Sequence, residues 1–236
     1  MKYDSREEGI FRVRKNRFVA EVELNGSVID VHVPNTGRCR EILVPGAKVL
    51  LTRAANPNRK YPYTLYAVYK GDMLVHIDSA GANRLAEEAL NNKKIRGLES
   101  IRDIEREKSF SRSRFDFRFH DGERICYMEV KGVTLEENGI AMFPDAPTER
   151  GARHLEELIK AKEEGYGAYV LFVIQMKGPY RFVPHVARDP RFAENLRYAV
   201  SKGVTVLAYD CTVTPGEITL ADPVEVDLLK EEETHA

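Results

Sequence analysis

The tightest constraint on this chain is the pair Asp121-Gly122, set between two alternating runs in the stretch RSRFDFRFHDGERICYMEVKGVT at residues 112–134. Asp-Gly between such runs is the strongest short-range signal for a β-hairpin. With Asp121 and Gly122 as the turn, His120 faces Glu123, Asp116 lies opposite Tyr127 and Arg114 lies opposite Glu129. Successive side chains point to opposite faces of a strand. Phe115, Phe117 and Phe119 are therefore expected on one face with Cys126, Met128 and Val130, and Arg114, Asp116, Tyr127, Glu129 and Lys131 on the other. Diagonal neighbours across a hairpin stand roughly 7–8 Å apart at the backbone, so the Asp116 and Glu129 carboxylates can converge on one cation, with Lys131 beside them. Charges on one hairpin face are more often a solvated surface. Two features set this face apart: the run YMEVK is bounded by apolar residues, and Asp116 stands at the register that puts an acid beside Glu129.

Composition excludes several other classes. A chain of 236 residues, 43% of them hydrophobic, can bury a real core as one large domain or two small ones. No run approaches the roughly 18 apolar residues of a spanning helix, and the stretch MKYDSREEGI has no apolar signal core. A cytoplasmic protein with no membrane partner is expected. Cys39, Cys126 and Cys211 are far apart and odd in number, as reduced structural cysteines are. The 6 histidines include no His-x-x-x-His pair, which argues against zinc. Charged residues at 31% and the absence of Trp suit a thermophile. The net charge of −1 conceals an uneven distribution: residues 1–80 hold 13 Lys and Arg against 9 Asp and Glu, whereas residues 217–236 hold 1 against 7. The acidic end, with its run at 230–233, masks a basic front end and is itself expected to be frayed and solvated.

Short strands are expected at residues 10–14, 18–24, 28–33, 48–52, 64–69 and 73–77, separated by Lys15-Asn16, Asn25-Gly26, residues 34–37, Pro45-Gly46 and residues 56–58. Strands with no helical period suggest a small barrel over residues 1–78, of the oligonucleotide-binding (OB) type. Arg12, Arg14, Arg17, Arg38, Arg40, Arg59 and Lys60, with Lys15 at a turn, lie among Phe11, Phe18, Tyr61 and Tyr63. Cations interleaved with aromatics hold phosphates and stack bases; equally, the aromatics can fill the barrel and the arginines coat it. From residue 79 to 236 the order becomes helix, strand, hairpin, helix, strand, helix, strand, an α/β (α+β) domain around a mixed sheet. Its first helix, capped by Asp78 or Ser79, carries Leu85, Ala86, Ala89 and Leu90 as its apolar stripe, with Glu87 and Glu88 at the edges. Residues 135–147 read as a loop. Thr148 caps the second helix and Asp189-Pro190 starts the third.

The element order, with Asp116 on one strand and Glu129-Val130-Lys131 on the next, resembles the restriction-endonuclease-like nuclease superfamily. The motifs VHVPNTG, LVPG, SRSRFDF, EVKGVTL, FPDAPTERGARHLEEL and GVTVLAYD, spread over nearly the whole chain, resemble the sugar fermentation stimulation protein A family, with departures at Gly132 and Pro147. That resemblance implies an OB-like barrel joined to a nuclease-like domain, and DNA as the partner. Residue by residue, it implies Asp116 and Glu129 as metal-binding carboxylates, Lys131 as the catalytic lysine, Glu88 as the acid from the first helix and Gln175 as a polar residue near the site.

The chemistry expected is phosphodiester hydrolysis with Mg²⁺ or Mn²⁺ held by Asp116, Glu129 and the Val130 carbonyl, and Lys131 steadying water or charge. Arg112, Arg114, Arg150 and His154 are candidates for the flanking phosphates, or for pairing with the same acids. A homodimer is the arrangement through which both strands of a duplex would meet a site. The competing functions are a non-catalytic DNA-binding regulator and a barrel that binds oligosaccharide.

Overall fold

A computed structural model of the chain describes residues 1–229 apart from Thr36, Ala55 and Pro57. The acidic run at 230–233, and the turn positions Thr36 and Pro57, lie outside the described residues. Six strands come first: β1 (Glu7–Asn16), β2 (Val19–Leu24), β3 (Ser27–His32), β4 (Lys48–Arg53), β5 (Tyr63–Lys70) and β6 (Met73–His76). They are ordered β3-β2-β1-β4-β5-β6, and a parallel pairing of His32 with Thr64 joins β3 to β5, closing five of them into a barrel. Asn25 and Gly26 take φ of 51° and 78°, the left-handed pair that a two-residue mirror-image turn requires. Phe11, Val22, Val31, Val49, Leu51 and Val68 fill the interior. The first hairpin turns two residues later than expected: Asn16 pairs with Val19, so Arg17 and Phe18 form the turn and Lys15 stays in β1.

An α/β domain follows: α1 (Ser79–Asn91), β7 (Arg102–Phe110), β8 (Ser113–Asp121), β9 (Arg124–Val133), β10 (Leu135–Glu137), β11 (Ile140–Phe143), α2 (Glu149–Glu163), β12 (Gly167–Ile174), β13 (Arg181–Pro184), α3 (Pro190–Ser201), β14 (Thr205–Val213), β15 (Ile218–Pro223) and β16 (Glu225–Val226). The main sheet runs β15-β14-β12-β9-β8-β7, with β12 parallel to both β9 and β14 and the outer pairs antiparallel. Strand β12 is apolar on both faces because it is covered on both. Leu171 and Val173 belong to the core that includes Leu85 and Ala89 of α1; Val170, Phe172 and Ile174 belong to the core that includes Leu155 of α2 and Leu196 of α3.

Each helix begins at a side-chain cap. Asp78 accepts from the Ala80 N–H, Thr148 from Gly151 and Asp189 from Phe192, all at 3.0 Å. The expected loop at 135–147 contains structure. Strands β10 and β11 pair about Asn138 and Gly139, at φ 52° and 81°, and enter a second sheet, β10-β11-β13-β16. Runs of three and four residues are too short to show a period of two.

Ahead of β1, residues 1–3 cross to the α/β domain: the Tyr3 N–H donates to the Gly216 carbonyl and the Ile218 N–H to that of Met1, both at 2.9 Å. All three cysteines are buried and unpaired. Among the described residues no helix is long and apolar enough to cross a membrane.

Candidate metal and nucleic-acid site

The β8–β9 hairpin turns at Gly122, with φ 59°, and Glu123, while Asp121 stays in the strand and pairs with Arg124. The register is therefore offset by two residues from the expected one, and Arg118 lies opposite Tyr127 where Asp116 was expected. A two-residue turn that opens on Gly at positive φ moves Asp121 out of the turn. An offset of two leaves residues on their faces, and continuing it brings Asp116 level with Glu129. Regular pairing ends at Phe117 with Met128. Beyond it the Val130 N–H donates to Asp116 Oδ2 at 2.8 Å. That break splits the expected phenylalanine face. Phe115 stacks on Phe110 and lies 5.6 Å from the Tyr127 ring and 6.3 Å from that of His154, whereas Phe117 and Phe119 join the α1 core with Met128.

Two carboxylates sit at the break, their pKa values shifted in opposite directions. Asp116 Oδ1 accepts from Asn83 Nδ2 of α1 at 2.6 Å. Burial first, and then the nearby charge of Glu129, raise the Asp116 pKa above the ordinary aspartate value despite the Val130 and Asn83 hydrogen bonds. Glu129 is only 4% exposed, and its Oε1 accepts from Lys131 Nζ at 2.7 Å and lies against His154 Nδ1. Burial pushes the Glu129 pKa up, but the His154 hydrogen bond and the Lys131 charge outweigh it and leave it below the ordinary glutamate value. Glu129 Oε2 is buried and has no hydrogen-bond partner among the described residues. In a strand a residue's N–H and carbonyl face the same edge, which would turn the Val130 carbonyl toward Asp116 as its N–H is. Among the described residues, no group of three or more His, Cys, Asp and Glu side chains is arranged to hold a metal. A hard cation here would use two carboxylates, a backbone carbonyl and water, a donor set that suits Mg²⁺.

The other expected site residues lie farther out. Gln175 Nε2 contacts His76 Nδ1 at 2.6 Å and the Asp78 carbonyl at 3.0 Å, tying β6 and the α1 cap to the end of β12. Its Oε1 stands over Gly132, one residue past Lys131, where an added Cβ would come within 2.5 Å. Glu88 is half exposed and its carboxylate meets the Met1 ammonium at 3.0 Å, while Glu87 meets Arg106 at 3.0 Å. The α1 residue that reaches Asp116 is Asn83. A search for acids passes over it, although its place one helical turn before Glu87 put it on the edge toward β8.

The expected nucleic-acid residues do not form one surface. Arg12 pairs with Glu23; Lys15 pairs with Glu21 and with Asp30, both at 3.0 Å. Arg14 donates to the carbonyls of Arg17, Asn35, Gly37 and Arg38, so it holds the barrel rim together. Of the aromatics, Phe11 is buried in the barrel and the Tyr63 hydroxyl donates to Glu7 at 2.8 Å. Arg17, Arg38 and Arg40 line an open hollow of about 720 Å³ between the rim and the segment Phe143 to Thr148. Arg112, Arg114, Arg150, Arg153 and Lys160 line a second, of about 480 Å³, that reaches His154. Thr148 borders the first and Arg150 the second, so the amino end of α2 stands between them. Within the second, Arg114 pairs with Glu107 at 3.4 Å and Lys160 with Glu157 at 2.5 Å. Arg59 and Lys60 are exposed and line neither hollow; Lys60 covers the Tyr61 ring at 5.3 Å.

Residues 80–217 match the family described as "Sugar fermentation stimulation protein RE domain", and residues 13–77 match "SfsA N-terminal OB domain". A "Sugar fermentation stimulation protein homolog" of Clostridium perfringens is 53% identical over 97% of this chain and 100% of its own length. One from Clostridium botulinum is 52% identical over 92% of this chain and 95% of its own. The solved structure of Pyrococcus furiosus SfsA in complex with Ca²⁺ superposes with a TM-score of 0.89 at 30% identity, covering 96% of this chain and 98% of that one.

Proposed function

This chain belongs to the sugar fermentation stimulation protein family, and from that premise we propose that it binds DNA and hydrolyses phosphodiesters with Mg²⁺ or Mn²⁺. The observation that carries the proposal is Glu129 Oε2, an oxygen of a carboxylate held ionised, buried and without a partner beside Asp116. Leaving a buried acceptor unmade costs about 1–3 kcal/mol, and more when it is charged. A divalent cation offsets that cost, and the Ca²⁺ complex of the Pyrococcus furiosus relative supports an oxygen-ligated ion. When bound, such an ion polarises the phosphoryl oxygen and stabilises the leaving alkoxide.

Asp116, Glu129 Oε2 and the Val130 carbonyl would hold the ion. Lys131, anchored on Glu129 Oε1, would orient the attacking water or steady developing charge. Arg112, Arg150 and Arg153 would grip the phosphates on either side of the scissile bond, and a second copy of the chain would serve the other strand of a duplex.

One observation favours a DNA-binding regulator that does not cut. Helix α1 gives Asp116 an amide, Asn83, and no acid. Plasmid and single-strand cleavage with Mg²⁺ or Mn²⁺ decides between the two, using wild type, Asp116→Ala and Lys131→Ala. Metal-dependent cutting that both substitutions abolish supports the nuclease. DNA binding without such cutting leaves the regulator.

A further inference from the structure

We propose that His154 is a positioning residue: it occupies one oxygen of Glu129 so that the other is left bare for the cation, an assignment that rests on the metal-site reading above. A guanidinium can only donate hydrogen bonds. Arg150 Nε lies 3.4 Å from His154 Nε2, so that nitrogen accepts and Nδ1 is the ring's donor toward Glu129 Oε1. Lys131 Nζ takes the same oxygen at 2.7 Å. Both donors on Oε1 leave Oε2 with none. Lysine alone is a poor orienter, being a point charge on a flexible stem. The imidazole is planar and buried, it packs edge-on against Phe115, and it stands on the second turn of a helix fixed by the Thr148 cap. Because Arg150 also lines the basic hollow, one line of contacts runs from the phosphate-facing surface through His154 to the metal ligand.

Two substitutions separate positioning from packing. His154→Asn keeps a donor near the place of Nδ1 and discards the ring; His154→Phe keeps the ring and discards the donor. Mn²⁺ binding to the full chain is measured by titration calorimetry, with thermal melting alongside and Glu129→Gln as reference. Positioning requires His154→Phe to lose about 10- to 100-fold in Mn²⁺ affinity, the usual effect of removing a residue that orients a ligand, while His154→Asn stays within about threefold of wild type. The assignment is overturned if His154→Phe binds Mn²⁺ as wild type does, or if His154→Asn loses as much as His154→Phe. Wild type that takes no Mn²⁺ removable by Glu129→Gln overturns the metal site itself, and the assignment with it.

Discussion

If the chain binds DNA as proposed, the two hollows flanking α2 make the salt dependence of that binding calculable. Arg17, Arg38, Arg40, Arg112, Arg150 and Arg153 face them, exposed and without an ion pair among the described residues. If each neutralises one duplex phosphate, log K falls against log salt with a slope of about −5, at roughly −0.9 per phosphate. Raising salt from about 50 to about 200 mM then weakens binding by roughly a thousandfold. Removing Arg150 and Arg153 together should flatten the slope by about 2. Removing Arg12 and Lys15 should leave it unchanged, because Glu23, Glu21 and Asp30 already neutralise them. Fluorescence anisotropy of a labelled duplex, in EDTA and across a NaCl series, measures all three slopes. A double Arg12 and Lys15 variant that flattens the slope as much as the Arg150 and Arg153 pair would refute the assignment of the path to α2. So would a wild-type slope near zero.

Three further outcomes follow from the same geometry. The raised Asp116 pKa means that the folded state resists a charge the unfolded chain accepts, so its contribution, present at acid pH, is lost as pH rises through the folded pKa. Metal-free Asp116→Asn should therefore melt higher than wild type at pH 8 and alike at acid pH, and a lower melting point at pH 8 contradicts this. Asn83→Ala should weaken Mn²⁺ binding more than Glu88→Gln does, since Asn83 holds Asp116 and Glu88 holds the Met1 ammonium; calorimetry giving the reverse order ends that argument. Thr148→Ala should cost about 1 kcal/mol in urea denaturation through the lost α2 cap, and an unchanged midpoint would show that the cap is not what fixes that helix.

The sequence carried the architecture because the signals that set it are local. Asn25-Gly26, Thr148, Asp189-Pro190 and the run around Phe172 each act within a few residues, so strands and caps fall close to where they are read. The site was legible only in outline. Its three chemistry-bearing residues lie on two paired strands, but the offset of the turn at Gly122 and the break at Asp116 depend on how β8 meets β9. The partners of Arg12 and Lys15 were hidden for the same reason: Glu21, Glu23 and Asp30 become neighbours only once the barrel's register exists. Asn83 and His154 gain their meaning from what α1 and α2 are packed against, which no periodicity contains.

The strap of residues 1–3 across Gly216 and Ile218 sets a timetable for assembly. Met1 and Ile218 stand 217 positions apart, so at roughly 5–20 residues per second a ribosome makes the second some 10–40 seconds after the first. The barrel's own strands, all complete by His76, emerge well inside that interval and can close without waiting. Side-chain partners for residues 1–3 arrive early, in Tyr66, His76 and Glu88, but the backbone bonds to Gly216 and Ile218 wait until β15 has been synthesised and joined its sheet. During that delay the main chain of residues 1–3 is without those two bonds and stands open to a chaperone or protease.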